Sequence, residues 1–184
     1  MTRVELTDEL VAAAAAGDPD ARGAIYASLA PQVVGYLRSR GADDPEGLTN
    51  DVFVQLLPQL SKLSGGVEGV RRLTFTIARA RMIDAARSRA RSAPAVPYEP
   101  ETDRRTVGSA EDAAHAALSL ARVQAVLDVL PDDQRDVLTL RVVADLSIEQ
   151  VAAIMGRSVG AVKQLQRRGM VAIRQALAER RVTL

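Results

Sequence analysis

The chain contains no cysteine, no tryptophan and a single histidine among its 184 residues. The lack of cysteine excludes disulfides and thiolate metal sites, and it fits a reducing compartment. Aromatic residues make up only 3% of the sequence, while Ala, Leu, Val and Arg are abundant, and this composition favours helix packing over a β-sandwich. No apolar run approaches the roughly 20 residues that span a bilayer, and the N-terminus lacks a signal-peptide core. These absences predict an all-α, cytoplasmic protein with no membrane partner.

Side chains that carry catalysis are equally scarce. The lone histidine is His115, and the sequence has no glycine-rich phosphate loop followed by a lysine. The adjacent pairs Asp43–Asp44 and Asp132–Asp133 stand where a turn or helix begins, and negative charge at a helix N-terminus explains them better than acid–base chemistry. The sequence therefore predicts no enzyme, no cofactor, no metal and no small-molecule substrate.

The formal net charge of +1 conceals a strong segregation of charge along the chain. Residues 71–91 carry 7 basic and 1 acidic side chains, and residues 157–184 carry 7 basic and 1 acidic. Residues 1–70 carry 5 basic and 10 acidic side chains, and residues 92–156 carry 5 and 11. Two separate basic stripes on an otherwise acidic chain predict two contacts with a polyanion.

Cap residues and apolar spacing predict several helices in the first half. Thr7 can cap a first helix that ends at Gly17, and Asp18 followed by Pro19 is typical of a second start. A third helix is predicted over 48–60, and the Ser- and Gly-containing stretch 61–66 reads as a loop. A long basic helix is then predicted over 70–91, with an inner face marked by Leu73, Ile77, Ala80 and Ile83 or Asp84.

A proline-rich stretch separates this half from the next. Three prolines interrupt any periodicity from about residue 92, namely Pro94, Pro97 and Pro100. We therefore predict two small helical domains, at 1–91 and 111–184, joined by a flexible linker at 92–110.

The second half contains a helix-turn-helix pattern at 146–177. Ser147 and Gln150 form a capping box, Gly156 provides the break, and Ser158 can cap the following helix. At 100° per residue, the apolar positions of that helix cluster on one side, and the opposite side collects Lys163, Gln164, Arg167 and Arg168. This second side is either free for phosphates and base edges or simply a solvated surface.

The region over 130–177 resembles the promoter-binding region four of bacterial sigma factors. The matching residues occur in the family's order and spacing: Leu130-Pro131, Gln134-Arg135-Asp136-Val137, Leu140-Arg141, Leu146-Ser147, Glu149, Val151-Ala152, Met155-Gly156, Ser158-Val159-Gly160 and Val162-Lys163. Upstream, the N-terminal half is similar to region two of the same family. Residues 44–57 resemble its polymerase-binding helix, and residues 70–91 resemble its minus-ten helix, with matches at Ile77-Ala78-Arg79, Arg81, Ile83-Asp84 and Arg87. With two domains and no third between them, the chain resembles the extracytoplasmic-function class.

The resemblance implies a sigma factor that binds core RNA polymerase, directs it to promoter DNA and helps to open the DNA. It implies a polymerase-binding helix with Asp51, Phe53, Gln55 and Leu56, of which Phe53 and Leu56 are alternatively core residues. The minus-ten element would be held by Arg71, Arg79, Arg81 and Arg87, while the 61–66 loop would take an unstacked base. The minus-35 element would be read by Ser158, Lys163, Gln164, Arg167 and Arg168. The family expectation also includes an anti-sigma partner.

A dimeric helix-turn-helix regulator that acts without polymerase is the alternative function. It would need a dimer interface and a palindromic DNA site, and it leaves the basic helix over 71–91 unexplained. An enzyme is the alternative of another class, and the scarcity of catalytic side chains disfavours it.

Overall fold

The computed structural model describes residues 5–91 and 123–182, and these ranges contain helices and no β-strand. The predicted all-α fold class is confirmed for them. The N-terminal half consists of α1 (Asp8–Ala15), α2 (Pro19–Ser39), α3 (Pro45–Leu56), a 3-10 helix (Leu57–Lys62) and α4 (Gly66–Arg91). The C-terminal half consists of a helical segment at 123–127 followed by α5 (Asp132–Val142), α6 (Ile148–Met155) and α7 (Val159–Val182). The predicted linker over 92–110 lies entirely outside the described residues.

The first two helices begin where the cap residues predicted. The Thr7 hydroxyl accepts a hydrogen bond from the Leu10 amide at 3.2 Å, and an Asp18 carboxylate oxygen accepts from the Asp20 amide at 2.8 Å. These oxygens satisfy first-turn amides that have no partner inside the helix. Pro19 stands in the first turn of α2, where its missing N–H costs nothing.

The third helix begins before the predicted residue, and it changes from an α-helix to a 3-10 helix before the predicted end. The start at Leu48 is wrong, because Asp44 caps the helix by accepting from the Gly47 amide at 2.8 Å and α3 begins at Pro45. The predicted end at Leu60 is also wrong for an α-helix, since α3 stops at Leu56 and a 3-10 helix follows to Lys62. The predicted loop over 61–66 is therefore shorter than expected and spans only 63–65. Pro58 lacks the amide hydrogen that would continue the α-helical ladder, and this explains the change.

The long helix α4 starts four residues before the predicted Val70, at Gly66. Its start is fixed by α1, because the Asp8 carboxylate accepts a hydrogen bond from the Val67 amide at 2.9 Å. The predicted inner face is partly wrong, since Ala80 and Asp84 are exposed. The fully buried positions instead include Val70, Phe75 and Ala78, because α4 contacts α1, α2 and α3 as well as α6 of the second half.

The helix-turn-helix forms as predicted. Ser147 and Gln150 make both hydrogen bonds of the capping box, and Gly156 ends α6 at φ +63°. That left-handed conformation suits glycine, since other L residues pay a steric cost there. The Ser158 hydroxyl accepts from the Ala161 amide at 3.2 Å and so caps α7.

The helices of both halves share one continuous buried cluster. From the first half it includes Tyr36 and Phe75, whose rings meet edge to face with centroids 6.0 Å apart, and from the second half Leu140 and Leu146. A polar contact lies beside this cluster. Buried Asp136 of α5 accepts a hydrogen bond from the Tyr36 hydroxyl at 3.0 Å. The two halves are therefore in direct contact through both apolar and polar side chains.

The buried phenol of Tyr36 gives a prediction about alkaline pH. Burial, followed by the nearby negative charge of Asp136, raises the pKa of Tyr36 well above its ordinary value of 10.0. Because the folded-state pKa is the higher one, the resulting stabilisation is complete below the unfolded-state pKa of about 10 and is lost as pH rises above it.

The measurement is the ultraviolet absorbance of phenolate, which no tryptophan obscures in this chain. We expect the difference between the wild-type titration and that of Tyr36→Phe to show no ionisation around the pH of about 10 at which exposed phenols titrate. Tyr36 should ionise only as the chain unfolds. A difference curve with a midpoint near that pH would contradict the burial.

Candidate nucleic-acid interface

The C-terminal basic helix presents the predicted cluster on one exposed face. Lys163, Gln164, Arg167 and Arg168 are all exposed. Arg168 Nη2 lies 3.5 Å from Gln164 Oε1, a contact of one helical turn. The opposite face packs at Val162, which is fully buried. Four donors on one side of a rigid helix can approach phosphates or the base edges of a major groove.

The close packing of α5 against α7 holds that face in place. A Cβ atom built on Gly169 would lie 2.8 Å from Leu138 Cδ1, so a larger residue here would force the Leu138 side chain to shift. An open groove of about 560 Å³ lies beside the contact, lined by Pro131, Gln134, Gln164, Arg167, Arg168, Val171, Ala172 and Gln175. Gln134 is a polar side chain of this groove that sequence reasoning did not assign.

Ser158 plays the structural role of a helix cap, since its hydroxyl accepts from the Ala161 amide. Its side chain is exposed at the N-terminus of α7, where amide groups and the helix dipole favour an anion. On the neighbouring helix, hydrogen bonds from its own backbone amide and from Ser147 lower the pKa of the exposed Glu149 carboxyl. Its negative charge also attracts Lys163.

The four arginines predicted for the minus-ten element have different surroundings. Arg71 donates through Nη2 to the Ala144 carbonyl at 2.7 Å, and Arg79 Nε donates to Asp136 Oδ2 at 3.0 Å. Both acceptors belong to the C-terminal half. Arg81 is half-buried, whereas Arg87 is exposed and lies 3.9 Å from Asp84. The structure thus places all four on α4 but directs Arg71 and Arg79 towards the second half.

The predicted polymerase-binding helix divides into buried and exposed positions. Phe53 and Leu56 are 2% and 0% exposed, so they are core residues, the alternative that the sequence left open. Asp51 and Gln55 are exposed on α3. In this arrangement Phe53 and Leu56 cannot touch a partner, and they instead fix the helix that presents Asp51 and Gln55.

Sequence reasoning missed Val54, which lies between the two exposed polar residues and is 73% exposed. The signal was available, because Val54 falls off the apolar stripe of an otherwise amphipathic helix. Tyr26 of α2 lies near the same surface, since its ring packs on Phe53 and its hydroxyl donates to Asn50 Oδ1 at 3.0 Å. Val54 is therefore an exposed apolar side chain on the same surface as Asp51 and Gln55.

An apolar groove of about 350 Å³ on the C-terminal half was also missed. Its exposed members include Val142, Met170 and Leu177, at 76%, 38% and 46% exposure. The complete lining is Val123, Val126, Leu127, Leu138, Thr139, Val142, Val143, Met170, Ile173 and Leu177. Apolar residues in the 123–127 segment, towards the C-terminal end of α5 and along α7 were visible in the sequence, but their joint exposure depends on packing.

Within residues 5–91 and 123–182, no three histidine, aspartate or glutamate side chains converge as a metal site. Over the same part of the chain, no helix is both long and apolar enough to cross a membrane.

Comparison with a family model places this geometry in a known group. Residues 126–175 match the model described as "Sigma-70, region 4". This span contains α5, α6 and most of α7. The exposed basic face of α7 therefore lies within a recognised sigma-factor region.

Whole-chain comparisons extend the similarity to the N-terminal half. The chain is 33% identical over 173 residues to SigD of Mycobacterium tuberculosis (strain ATCC 25618 / H37Rv), an ECF RNA polymerase sigma factor, covering 90% of this chain and 81% of SigD. Among solved structures, CnrH in complex with the cytosolic domain of CnrY has a TM-score of 0.72 at 24% identity, covering 94% of this chain and 97% of that one. The sigma factor RpoE from Bartonella quintana, in complex with the anti-sigma factor NepR, has a TM-score of 0.61 at 21% identity, covering 83% and 94%. The two structures share the helical fold. On the strength of the identity to SigD, the chain belongs to the extracytoplasmic-function (ECF) family of RNA polymerase sigma factors.

Proposed function

We propose that the chain acts in the cytoplasm as a transcription initiation factor that binds core polymerase through α3 and promoter DNA through α4 and α7. The observation that carries this proposal is the pair of basic helices, α4 and α7, one in each half. They occur in a chain that is similar to an ECF sigma factor over 90% of its length. The activity is binding and positioning, and no catalytic group is assigned to it.

The exposed face of α7 supports a role at the minus-35 element. Arginine or lysine can make bidentate contacts with guanine, and glutamine can do so with adenine. We propose that Lys163, Gln164, Arg167 and Arg168 supply these contacts, and that Ser158 and the N-terminus of α7 hold a phosphate. Gln134 borders the same groove and is a candidate additional contact.

We propose α4 and the loop before it for the minus-ten element. Its net charge of +6 over 71–91, from 7 basic and 1 acidic side chains, suits contacts with the DNA backbone. Arg87 is exposed for such a contact. Arg71, Arg79 and Arg81 belong to the same stripe, and Arg71 and Arg79 would reach DNA once their contacts with the second half are released. The loop before α4 would then be open to an unstacked base.

An anti-sigma factor is proposed as the regulatory partner. The fold is shared with RpoE, a sigma factor bound to the anti-sigma factor NepR. The apolar groove between α5 and α7 suits an apolar segment of a protein better than DNA, since it offers few groups that could hydrogen-bond a base or phosphate.

The test of the proposed function is transcription by core polymerase with the purified full chain. Run-off transcription on a library of genomic promoter fragments should give transcripts that depend on the chain, and the chain should co-purify with core polymerase. A dimer that binds a palindromic site tightly without polymerase, and that supports no run-off transcript, would support the alternative regulator.

Substitution on α3 sharpens this test. We expect Val54→Glu, combined with Asp51→Ala, to weaken core binding by at least about tenfold, because a charge in the centre of a protein interface typically costs more than about 1–2 kcal/mol. The measurement is the dissociation constant for core polymerase by fluorescence anisotropy. The control is Ala12→Glu, which adds the same charge at an exposed position of α1. Equal affinities for the α3 variant and the control would remove α3 from the interface.

A further inference from the structure

One buried carboxylate joins three side chains of the N-terminal half to the C-terminal half. The Asp136 side chain is 4% exposed and accepts hydrogen bonds from the Tyr36 hydroxyl and from Arg79 Nε, both at 3.0 Å. It also forms an ion pair with Arg40 at 2.9 Å, and the Arg40 side chain is 10% exposed. We call Asp136, Tyr36, Arg40 and Arg79 the Asp136 junction. The junction connects α5 to α2 through Tyr36, to the residue that follows α2 through Arg40, and to α4 through Arg79.

The contact between the halves also covers part of the surface proposed for the minus-ten element. Arg71 donates to the carbonyl groups of Ala144 and Asp145, at the end of α5. Glu149 and Gln150 of α6 face the turn before α4, where they line a cavity of about 240 Å³ with Ser64, Gly65, Glu68, Gly69, Arg72 and Ala153. An acidic helix start thus stands opposite the loop that would take a base. DNA cannot approach this part of α4 while the second half remains in place.

The proposed DNA contacts cannot both be made in this arrangement. The numbering of the minus-ten and minus-35 elements places their centres about 25 base pairs apart, which is roughly 85 Å along B-DNA at 3.4 Å per base pair. A compact chain of this length has a radius of gyration of only about 16 Å. The structure is therefore a closed state, and promoter binding requires the halves to separate.

We propose that the Asp136 junction holds the free protein in this closed state, and that α4 becomes available to DNA when Arg79 exchanges the Asp136 carboxylate for phosphate oxygens. This inference rests on the proposed function of α4. Release of the junction also frees Arg71 from the carbonyls of the second half. The same arginines thereby have two alternative partners, one inside the chain and one on the promoter.

The hydrogen-bonding groups of the Asp136 junction allow an arginine to exchange the carboxylate for a phosphate. Carboxylate and phosphate oxygens accept the same charge-assisted hydrogen bonds from a guanidinium. A buried ion pair gives geometric specificity, but its net stabilisation is small because desolvation offsets most of the attraction. The junction can therefore fix one arrangement of the halves and still be displaced by a polyanion and by binding to polymerase.

The chain offers two independent ways to open the closed state. Asp136→Asn removes the charge that holds both arginines, and Asp133→Asn is its matched control, because Asp133 pairs with Arg157 inside the C-terminal half. Gly35→Leu is expected to push the halves apart, since even a Cβ atom at Gly35 would lie 2.9 Å from Val143 Cγ1 and leucine adds three more carbon atoms. Gly23→Leu is the control on the same helix, where an added Cβ meets nothing within 4 Å.

Separation of the halves is measured by energy transfer in the full-length chain. The lack of cysteine allows Glu9→Cys and Ala178→Cys to be labelled specifically at exposed positions of α1 and α7. We expect a short distance in wild type and in both controls, and a longer one in Asp136→Asn and Gly35→Leu. Circular dichroism monitors helix content, and if Asp136→Asn loses its helices, Gly35→Leu decides the question. An unchanged distance in Gly35→Leu and in a folded Asp136→Asn would overturn the proposal.

The second readout is binding of short, mixed-sequence single-stranded DNA without polymerase. The chain carries Arg167→Ala and Arg168→Ala in this assay, so that α7 contributes little. If the open state is a minor population of about 10% or less in wild type, each opening variant should bind at least about tenfold more tightly. A longer distance with unchanged DNA affinity would show that closure does not occlude α4, and would also overturn the proposal. Failure of the wild-type chain to bind core polymerase would instead refute the proposed function, which the distance measurement does not address.

Discussion

Replacing Arg167 and Arg168 together with alanine is expected to lower transcription from promoters that depend on the minus-35 element by about 100-fold, since each arginine in a specific base contact contributes about 1–3 kcal/mol. Both side chains are exposed on α7, and neither packs in the core. Folding and core binding should remain unchanged. The measurements are run-off transcription and the dissociation constant for core polymerase.

The controls distinguish the loss of base-specific contacts from the loss of positive charge. Arg22→Ala with Arg38→Ala removes the same two charges from α2 and should leave promoter recognition intact. If the α7 arginines contact phosphates instead of bases, the double variant should weaken binding to all duplexes alike and reduce the salt dependence by a slope of about 1.8. Loss of core binding in the α7 variant would contradict the assignment of functions to the two halves.

The structure also explains which features a sequence can predict. Thr7, Asp18, Ser147 and Gly156 act within one or two turns of their own position, so their roles as caps follow from local chemistry. The amphipathic face of α7 follows from a fixed angle of 100° per residue. These features were predicted correctly because no distant part of the chain alters them.

The bounds of α3 were wrong for local reasons, whereas the errors on α4 arose where a distant residue decides the outcome. The start of α4 is capped by Asp8, which is 59 positions away in sequence from Val67. Ala80 was predicted to be buried on the assumption of a single packing face, whereas α4 packs against helices of both halves. Neither contact leaves a periodic signal, so local patterns could not reveal it.

The candidate site likewise has residues that the local sequence predicts and residues whose contacts depend on distant parts of the chain. The exposed cluster on α7 was predictable, because a single helix forms it. The engagement of Arg79 by Asp136 was not, because their side chains meet across 57 positions of sequence. Composition marked Arg79 only as one charge in a basic stripe. Its present partner, and hence the closed state, depends on how the two halves pack.

Phe75→Ala should have the largest effect on stability. The ring is 0% exposed and packs edge to face on Tyr36, the residue that donates to Asp136. Removing a buried phenylalanine side chain typically costs about 3–5 kcal/mol, because apolar contacts are lost and a cavity remains. For a chain of this size, that corresponds to a fall in Tm of roughly 6–20 °C.

This effect is measured as the Tm, with thermal unfolding monitored by circular dichroism. Val54→Ala is the control at an exposed position. Phe75→Leu is a conservative variant that refills part of the cavity. Because one buried cluster includes Phe75 of α4 and Leu140 of α5, we expect Phe75→Ala to destabilise α5 to α7 as well. Hydrogen exchange at the amides of α5 should therefore increase in Phe75→Ala and remain unchanged in Val54→Ala. Unaltered exchange in α5, with loss of structure confined to α1 to α4, would mean that the halves unfold independently despite their contact.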